Sequence, residues 1–191
     1  ADTAVFGTWT TMGPSDQSLD YSESHLGAGD IYYGESVSLD GNRLAVGTHK
    51  FAASGASNKS GAVFLYTFTD SSFSGIALAA MIGENVTSLG SGYVDVALEA
   101  EDKLGYSVSL DGNRLAVGAY EYDTPSSSDN KGKVFLFTFT PTDDTYFSGG
   151  ALAATICDGC TPDSDPLTEP TANSINQTLD GGDKFGTSVS L

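Results

Sequence analysis

Twelve residues, Ser-Val-Ser-Leu-Asp-Gly-Asn-Arg-Leu-Ala-Val-Gly, fill positions 36–47 and again, unchanged, positions 107–118. A third copy opens at Ser188-Val189-Ser190-Leu191. The copies start 71 and then 81 residues apart, at 36, 107 and 188. A supersecondary unit that recurs in this way buries its apolar faces by stacking on its neighbours, so the repeat restricts the chain to an array of similar units.

Each copy carries a period of two. Val37 and Leu39 alternate with serines, and Leu44 and Val46 alternate with Arg43 and Ala45. Between the arms stands Asp40-Gly41-Asn42, residues that tolerate a positive φ, and the pattern predicts a β-hairpin. Residues 61–69 are apolar at nearly every position, as in a strand covered on both faces. Residues 76–82, Ile-Ala-Leu-Ala-Ala-Met-Ile, contain helix-favouring alanine and leucine. They are short, uncapped and stopped by Gly83, so they read as a fourth strand. The unit then recurs, with a hairpin over 102–110 and 114–120 and strands over 133–140 and 151–156. Its extra length lies at 157–176, where Pro162, Pro166 and Pro170 mark a surface loop. Related lead-ins precede the copies: Asp30-Ile-Tyr-Tyr-Gly34, Asp102-Lys-Leu-Gly105 and Asp183-Lys-Phe-Gly186.

Four short strands per unit predict an all-β fold of repeated four-stranded antiparallel sheets of β-propeller blade type, each covered by its neighbours. Residues 1–29 read as a partial preceding blade and a loop, 30–101 as the first repeat and 102–182 as the second. Residues 183–191 read as the first strand of a further repeat. The aromatic-or-leucine–glycine lead-in, the Ser-Val-Ser-Leu-Asp-Gly-Asn hairpin, Leu-Ala-Val-Gly and then Gly132-Lys-Val-Phe-Leu-Phe137 together resemble the FG-GAP repeat of integrin-α-like β-propellers. The resemblance covers most of residues 30–156. Residues 8–13, Thr-Trp-Thr-Thr-Met-Gly, resemble the closing strand of a preceding blade. Calcium-binding members carry an Asp-x-Asp-x-Asp-Gly loop between the first two strands. Here Asp40-Gly-Asn42 and Asp111-Gly-Asn113 are too short to wrap the six to eight oxygen ligands of calcium. Asp40 and Asp111 therefore read as turn formers, and neither metal nor cofactor is expected.

Eight Lys and Arg stand against 25 Asp and Glu, a net charge of −17, which argues against nucleic acid or an anionic membrane surface as a partner. No run approaches the roughly 18 apolar residues of a membrane span. Cys157 and Cys160 are the two cysteines. A redox Cys-x-x-Cys belongs at a helix N-terminus of a βαβ unit, and zinc needs about four ligands. His25 and His49 stand in separate loops, so the pair reads as a local disulfide at the root of the long loop. The sequons at Asn58, Asn85 and Asn176 are candidate glycosylation sites. With the cysteine pair they point to an extracellular or cell-surface protein.

Glu99, Glu101 and Asp102, like Asp143 and Asp144, read as solvated loop charge, and no motif of nucleophilic or metal-assisted catalysis is present. The expected function is a non-enzymatic structural or adhesive module that acts through self-assembly, as a homo-oligomer or filament, or through a surface-protein ligand. The alternative is a carbohydrate-binding oligomeric propeller, with Tyr120, Tyr122, Tyr146 and Phe147 lining a glycan groove. Closed propellers take about four to eight blades, and two units with partial ones beside them leave a piece of a longer chain, a ring of copies or a head-to-tail array. Residues 188–191 are expected to complete a sheet outside their own two units, near residues 5–12 of another copy. Leu44, Val46, Val63, Leu65, Leu115, Val117, Val134 and Leu136 are expected to be buried.

Overall fold

The computed structural model of the chain describes residues 32–52, 59–86, 93–123, 129–140, 146–160 and 173–191. The closing strand read at residues 8–13 lies outside them. The described residues form strands and turns without a helix. The first sheet contains β1 (Ser36–Asp40), β2 (Arg43–Thr48), β3 (Ala62–Thr67), β4 (Ala77–Gly83) and β5 (Val94–Asp95), hydrogen-bonded in that order. The second contains β6 (Leu104–Asp111), β7 (Arg114–Ala119), β8 (Lys133–Thr138), β9 (Ala151–Cys157) and β10 (Ile175–Asn176), again in chain order.

Both hairpins form as the period-two pattern predicts, with Asp40 opposite Arg43 and Asp111 opposite Arg114. Gly41 and Gly112 each take φ +56° at the first of the two loop residues, where a two-residue hairpin loop favours glycine. Residues 76–82 supply β4, a strand. Even the irregularity repeats, since the register between β3 and β4 shifts at Leu65/Tyr66 and that between β8 and β9 at Leu136/Phe137.

The sheets have five strands, not four. After β4 the chain returns to pair two residues parallel to it, Ile82 with Val94 and Gly83 with Asp95. In the second sheet Ile175 and Asn176 pair parallel to Ile156 and Cys157. Residues 175–176, expected within a surface loop, are thus a short edge strand.

Alternation along the strands divides the first sheet into two faces. Ser36, Ser38, Asp40, Arg43 and Ala45 share one with Val63 and Leu65, called here the serine face. Val37, Leu39, Leu44 and Val46 share the other, the valine face, with Phe64 and Tyr66. The serine face of the first sheet packs on the valine face of the second. Ala45, Val63 and Leu65 meet Val108, Leu115, Val117, Phe135 and Phe137 in the main core. A smaller core, with Val46, Phe51, Phe64, Tyr66 and Met81, lies on the valine face of the first sheet. β3 is therefore buried on both sides, as its unbroken apolar run requires.

Six of the eight residues expected in the core are buried. Leu44 and Leu136 are half-buried instead. Leu44 lies on the valine face of the first sheet and Leu136 on the serine face of the second, the two faces turned away from the inter-sheet contact.

Candidate functional site: the junction between repeats

The serine face recognises the neighbouring repeat by hydrogen bonds to its backbone. Ser36 Oγ donates to the Gly105 carbonyl at 2.9 Å, and Ser38 Oγ accepts from the Leu110 N–H at 2.9 Å. Asp40 Oδ2 accepts from the Gly112 N–H at 2.8 Å, and Arg43 Nη1 donates to the Gly112 carbonyl at 2.5 Å. Asp40 and Arg43 also pair with each other at 2.5 Å. One hairpin thus grips the turn glycine of the next, and this is the structural task of the Asp40 carboxylate. Two glycines permit the approach. A Cβ on Gly47 would meet the Gly105 carbonyl oxygen at 2.0 Å, and one on Gly61 the Leu104 carbonyl oxygen at 2.1 Å.

Part of the same junction is built again on the second sheet. Ser107 Oγ donates to the Gly186 carbonyl at 2.7 Å, and Ser109 Oγ accepts from the Leu191 N–H at 3.0 Å. The lead-in turns match as well. Tyr32, Lys103 and Lys184 take φ of 52°, 63° and 54°, each two residues before a glycine that also has positive φ.

A sequence whose strands, turns and lead-ins recur with one geometry is a repeat in the structural sense. Residues 98–137 match the family model of the FG-GAP repeat. The chain carries an FG-GAP repeat. The match spans the last turn before the second lead-in through β8. Residues 36–47 are identical to residues 107–118 inside it. Such a repeat suggests a propeller-type protein-interaction module. No curated protein matches the chain.

Several residues that differ between the two copies meet at one end of the junction. His49 is buried between Tyr32 and Tyr106, with ring centroids at 5.1 and 5.3 Å. Tyr106 packs on Tyr120 at 4.2 Å. Lys50 Nζ caps the ladder over Tyr32 at 4.0 Å, and Lys184 Nζ lies 5.4 Å from the Tyr120 centroid. Burial holds the His49 pKa below its ordinary value, opposed by Glu35 and Glu121 and reinforced by Lys103 and Lys50. His49 Nδ1 is buried without a hydrogen-bond partner among the described residues. Tyr120 is pushed up to about 12 by burial, then by its hydrogen bond to Glu121. Sequence reasoning left His49 in a loop. The signal was in the repeat, which places it at the position of Tyr120, one residue after the Leu-Ala-Val-Gly-Thr/Ala end of the second strand.

Asp102 also departs from expectation. It is buried, not a solvated loop charge like its exposed neighbours Glu99 and Glu101. Its Oδ2 accepts the Glu99 N–H at 2.6 Å and closes the turn that leads into the second repeat. Burial raises its pKa to about 7, against the hydrogen bonds from the Glu99 and Asp123 N–H groups. Lys103, beside it, is buried with an ion pair to Glu101, and burial lowers its pKa. Asp143 and Asp144 lie outside the described residues.

The aromatic residues considered for a glycan groove do not come together. Tyr122 and Phe147 are core residues, Tyr122 near Phe135 and Phe147 against Phe139. Tyr120 belongs to the ladder, whereas Tyr146 lies 5.6 Å from the Arg43 guanidinium at the hairpin end of the sheets. Cys157 and Cys160 are bonded to each other and buried. The adjoining Asp158 and Asp129 both pair with Lys131, at 2.6 and 3.4 Å, which ties the bridge to the segment before β8. Asn85 is exposed on a turn with φ +55°. Asn176 is exposed in β10, where its Oδ1 accepts the Gly159 N–H at 2.7 Å. Asn58 lies outside the described residues.

Proposed function

We propose that this chain is a non-enzymatic contact module of the extracellular space or cell surface, acting by stacking its FG-GAP sheets on those of other copies in a head-to-tail array. The observation that carries this reading is the β1 part of the valine face of the first sheet, which lies outside the smaller core on that face. Val37 and Leu39 are 62% and 51% exposed there, while Val108 and Leu110, their counterparts, are 8% and 6% exposed under the first sheet. These exposed β1 residues have the chemistry that a serine face already covers within the chain, and a serine face stands on the far side of the second sheet. Complementary faces at opposite ends form heterologous contacts, which close into rings or extend as filaments.

An extracellular setting is supported by the Cys157–Cys160 bond, since disulfides persist in oxidising compartments. FG-GAP repeats are, moreover, typical of surface proteins. Structural and adhesive roles both follow from stacking, and neither needs a catalytic step.

Sedimentation over a wide concentration range tests the reading. The native chain should associate, and the Val37→Asp/Leu39→Asp double variant should sediment as a monomer with unchanged β-rich circular dichroism. A native chain that stays monomeric throughout, or a double variant that associates equally well, overturns the proposal.

A further inference from the structure

Two hydroxyls enter the first repeat together. Tyr33 of the lead-in stands where the second repeat has Leu104, and Tyr66 of β3 stands where it has Phe137. Leu104 and Phe137 are fully buried members of the main core. In the first repeat both positions carry phenols, and the two hydroxyls hydrogen-bond to each other. Tyr33 also packs on Phe64, with ring centroids 5.4 Å apart. Phe64 lies two residues before Tyr66 on the same face of β3, so this contact holds the Tyr33 ring beside its partner.

Access differs between the two rings. Tyr33 is 44% exposed and Tyr66 only 3%. A dissolved oxidant therefore reaches Tyr33, while Tyr66 is shielded from the tyrosines of any other molecule. Burial, then the hydrogen bond with Tyr33, raises the Tyr66 pKa, so its hydroxyl keeps its proton near neutral pH. A protonated phenol loses its proton together with the electron, and a hydrogen-bonded oxygen provides the path for that proton. Phenoxyl radicals couple through the ring carbons ortho to the hydroxyl, which two hydroxyls in contact hold close together. Tyr106 and Tyr120 make the contrasting pair. Their rings touch at 4.2 Å, but the Tyr120 hydroxyl bonds to Glu121 instead.

We propose that Tyr33 and Tyr66 form an oxidative cross-linking site, joined as a dityrosine by a one-electron oxidant that consumes peroxide. Each phenol gives up one electron and one proton. The two radicals couple in one carbon–carbon bond between ortho ring carbons, and the hydrogens on those carbons move to the oxygens and restore both hydroxyls. One hydrogen peroxide takes up the two electrons and two protons and leaves as two waters. The new bond closes a covalent loop from the lead-in to β3, around the first hairpin. It stabilises the first repeat as a disulfide does, by restricting the unfolded chain. Both rings belong to one chain, so the lock is independent of stacking between copies.

The test treats the full chain with hydrogen peroxide and a haem peroxidase, at a dilution where it sediments as a monomer. The product should be a monomer lighter by two hydrogen atoms, with dityrosine fluorescence and a cross-link that peptide mapping places between Tyr33 and Tyr66. Tyr33→Phe and Tyr66→Phe should each lower that fluorescence at least tenfold, while Tyr106→Phe leaves it within twofold. Tyr66→Phe keeps the fold, because Phe137 fills the same place in the second repeat, and its unchanged circular dichroism checks this. Treatment should raise the denaturation midpoint of the native chain and leave that of Tyr66→Phe where it was. A cross-link between molecules, a link mapped to Tyr93 or to Tyr106 and Tyr120, equal fluorescence from Tyr66→Phe, a linked chain with an unchanged midpoint, or no link at all overturns the proposal.

Discussion

Val37 and Leu39 in β1 face solvent, whereas Val108 and Leu110, the same residues of the same twelve-residue stretch, are core in β6. The hairpin and its register are alike in the two copies, so local sequence dictates the strands. What lies above and below dictates the energetics. On the valine face the second copy is the buried one, as Leu115 against Leu44 shows. On the serine face the order reverses, with Leu65 fully buried and Leu136 half-buried. Identical residues should therefore contribute unequally to stability, and each inequality can be measured.

The largest difference is expected at the leucine that follows the hairpin. Leu115→Ala removes a fully buried side chain from the main core and should cost ~2–5 kcal/mol in chemical denaturation. Leu44→Ala should cost less than half as much, because its site is already partly open to water. Equal losses would break the comparison. Gly47→Ala and Gly118→Ala come next. Each new Cβ would meet a carbonyl oxygen, of Gly105 at 2.0 Å or Gly186 at 1.9 Å. In the first case that oxygen belongs to β6 and cannot retreat without parting the sheets, so about 1–3 kcal/mol is expected from overpacking. In the second it belongs to Gly186, itself buried but set in the mostly exposed segment 183–191, which can move aside at smaller cost. Asp40→Ala removes an acceptor for the Gly112 N–H and should cost about 1 kcal/mol. Among the described residues Asp111 pairs with exposed Arg114 and holds no hairpin glycine as its twin does, so Asp111→Ala should change stability by less than about 0.5 kcal/mol.

These pairs also mark how much of the molecule was legible in the sequence. Hairpins, strand count along the meander and the doubly covered third strand follow from period-two alternation and turn chemistry, which are local. The two-residue parallel strands β5 and β10 were not legible, because a pairing so short leaves no periodicity in residues 94–95 or 175–176. The inter-sheet contact was legible as a need for stacking, but not as a pairing of a serine face with a valine face. Leu44 and Leu136 were misplaced for that reason, since a repeat pattern cannot tell an inner face from an outer one. Asp102 was misread because its carboxylate serves a turn three residues back, in a segment whose other acids are solvated. His49 was missed because its partners, Tyr32 and Tyr106, come from two different repeats.

The smallest effect expected is also carried by a pair, His49 and its counterpart Tyr120. Burial lowers the His49 pKa from 6.5, so the folded chain prefers the neutral ring more strongly than the unfolded chain does. The stability this confers is complete above the unfolded value and is lost as pH falls through 6.5 toward the folded value. Glu35 and Glu121 soften the loss, and Lys50 and Lys103 sharpen it. Asp102 works in the opposite sense at the same junction. With its pKa raised to about 7, it favours folding when protonated, a contribution complete below 3.8 and lost as pH rises through 7. The net pH profile of the native chain therefore mixes two opposing slopes, and a single curve decides nothing. The difference between the native chain and His49→Gln cancels the Asp102 contribution and isolates that of His49. Denaturation midpoints of the two proteins should converge, or cross, as pH is lowered from 7.5 to 5, with the native chain losing ground. Tyr120→Phe should give a flat difference over the same range, since the Tyr120 hydroxyl titrates near 12. A His49→Gln difference as flat as that of Tyr120→Phe would mean that the ring is hydrated in solution, and that the aromatic ladder at this junction is looser than its packing distances indicate.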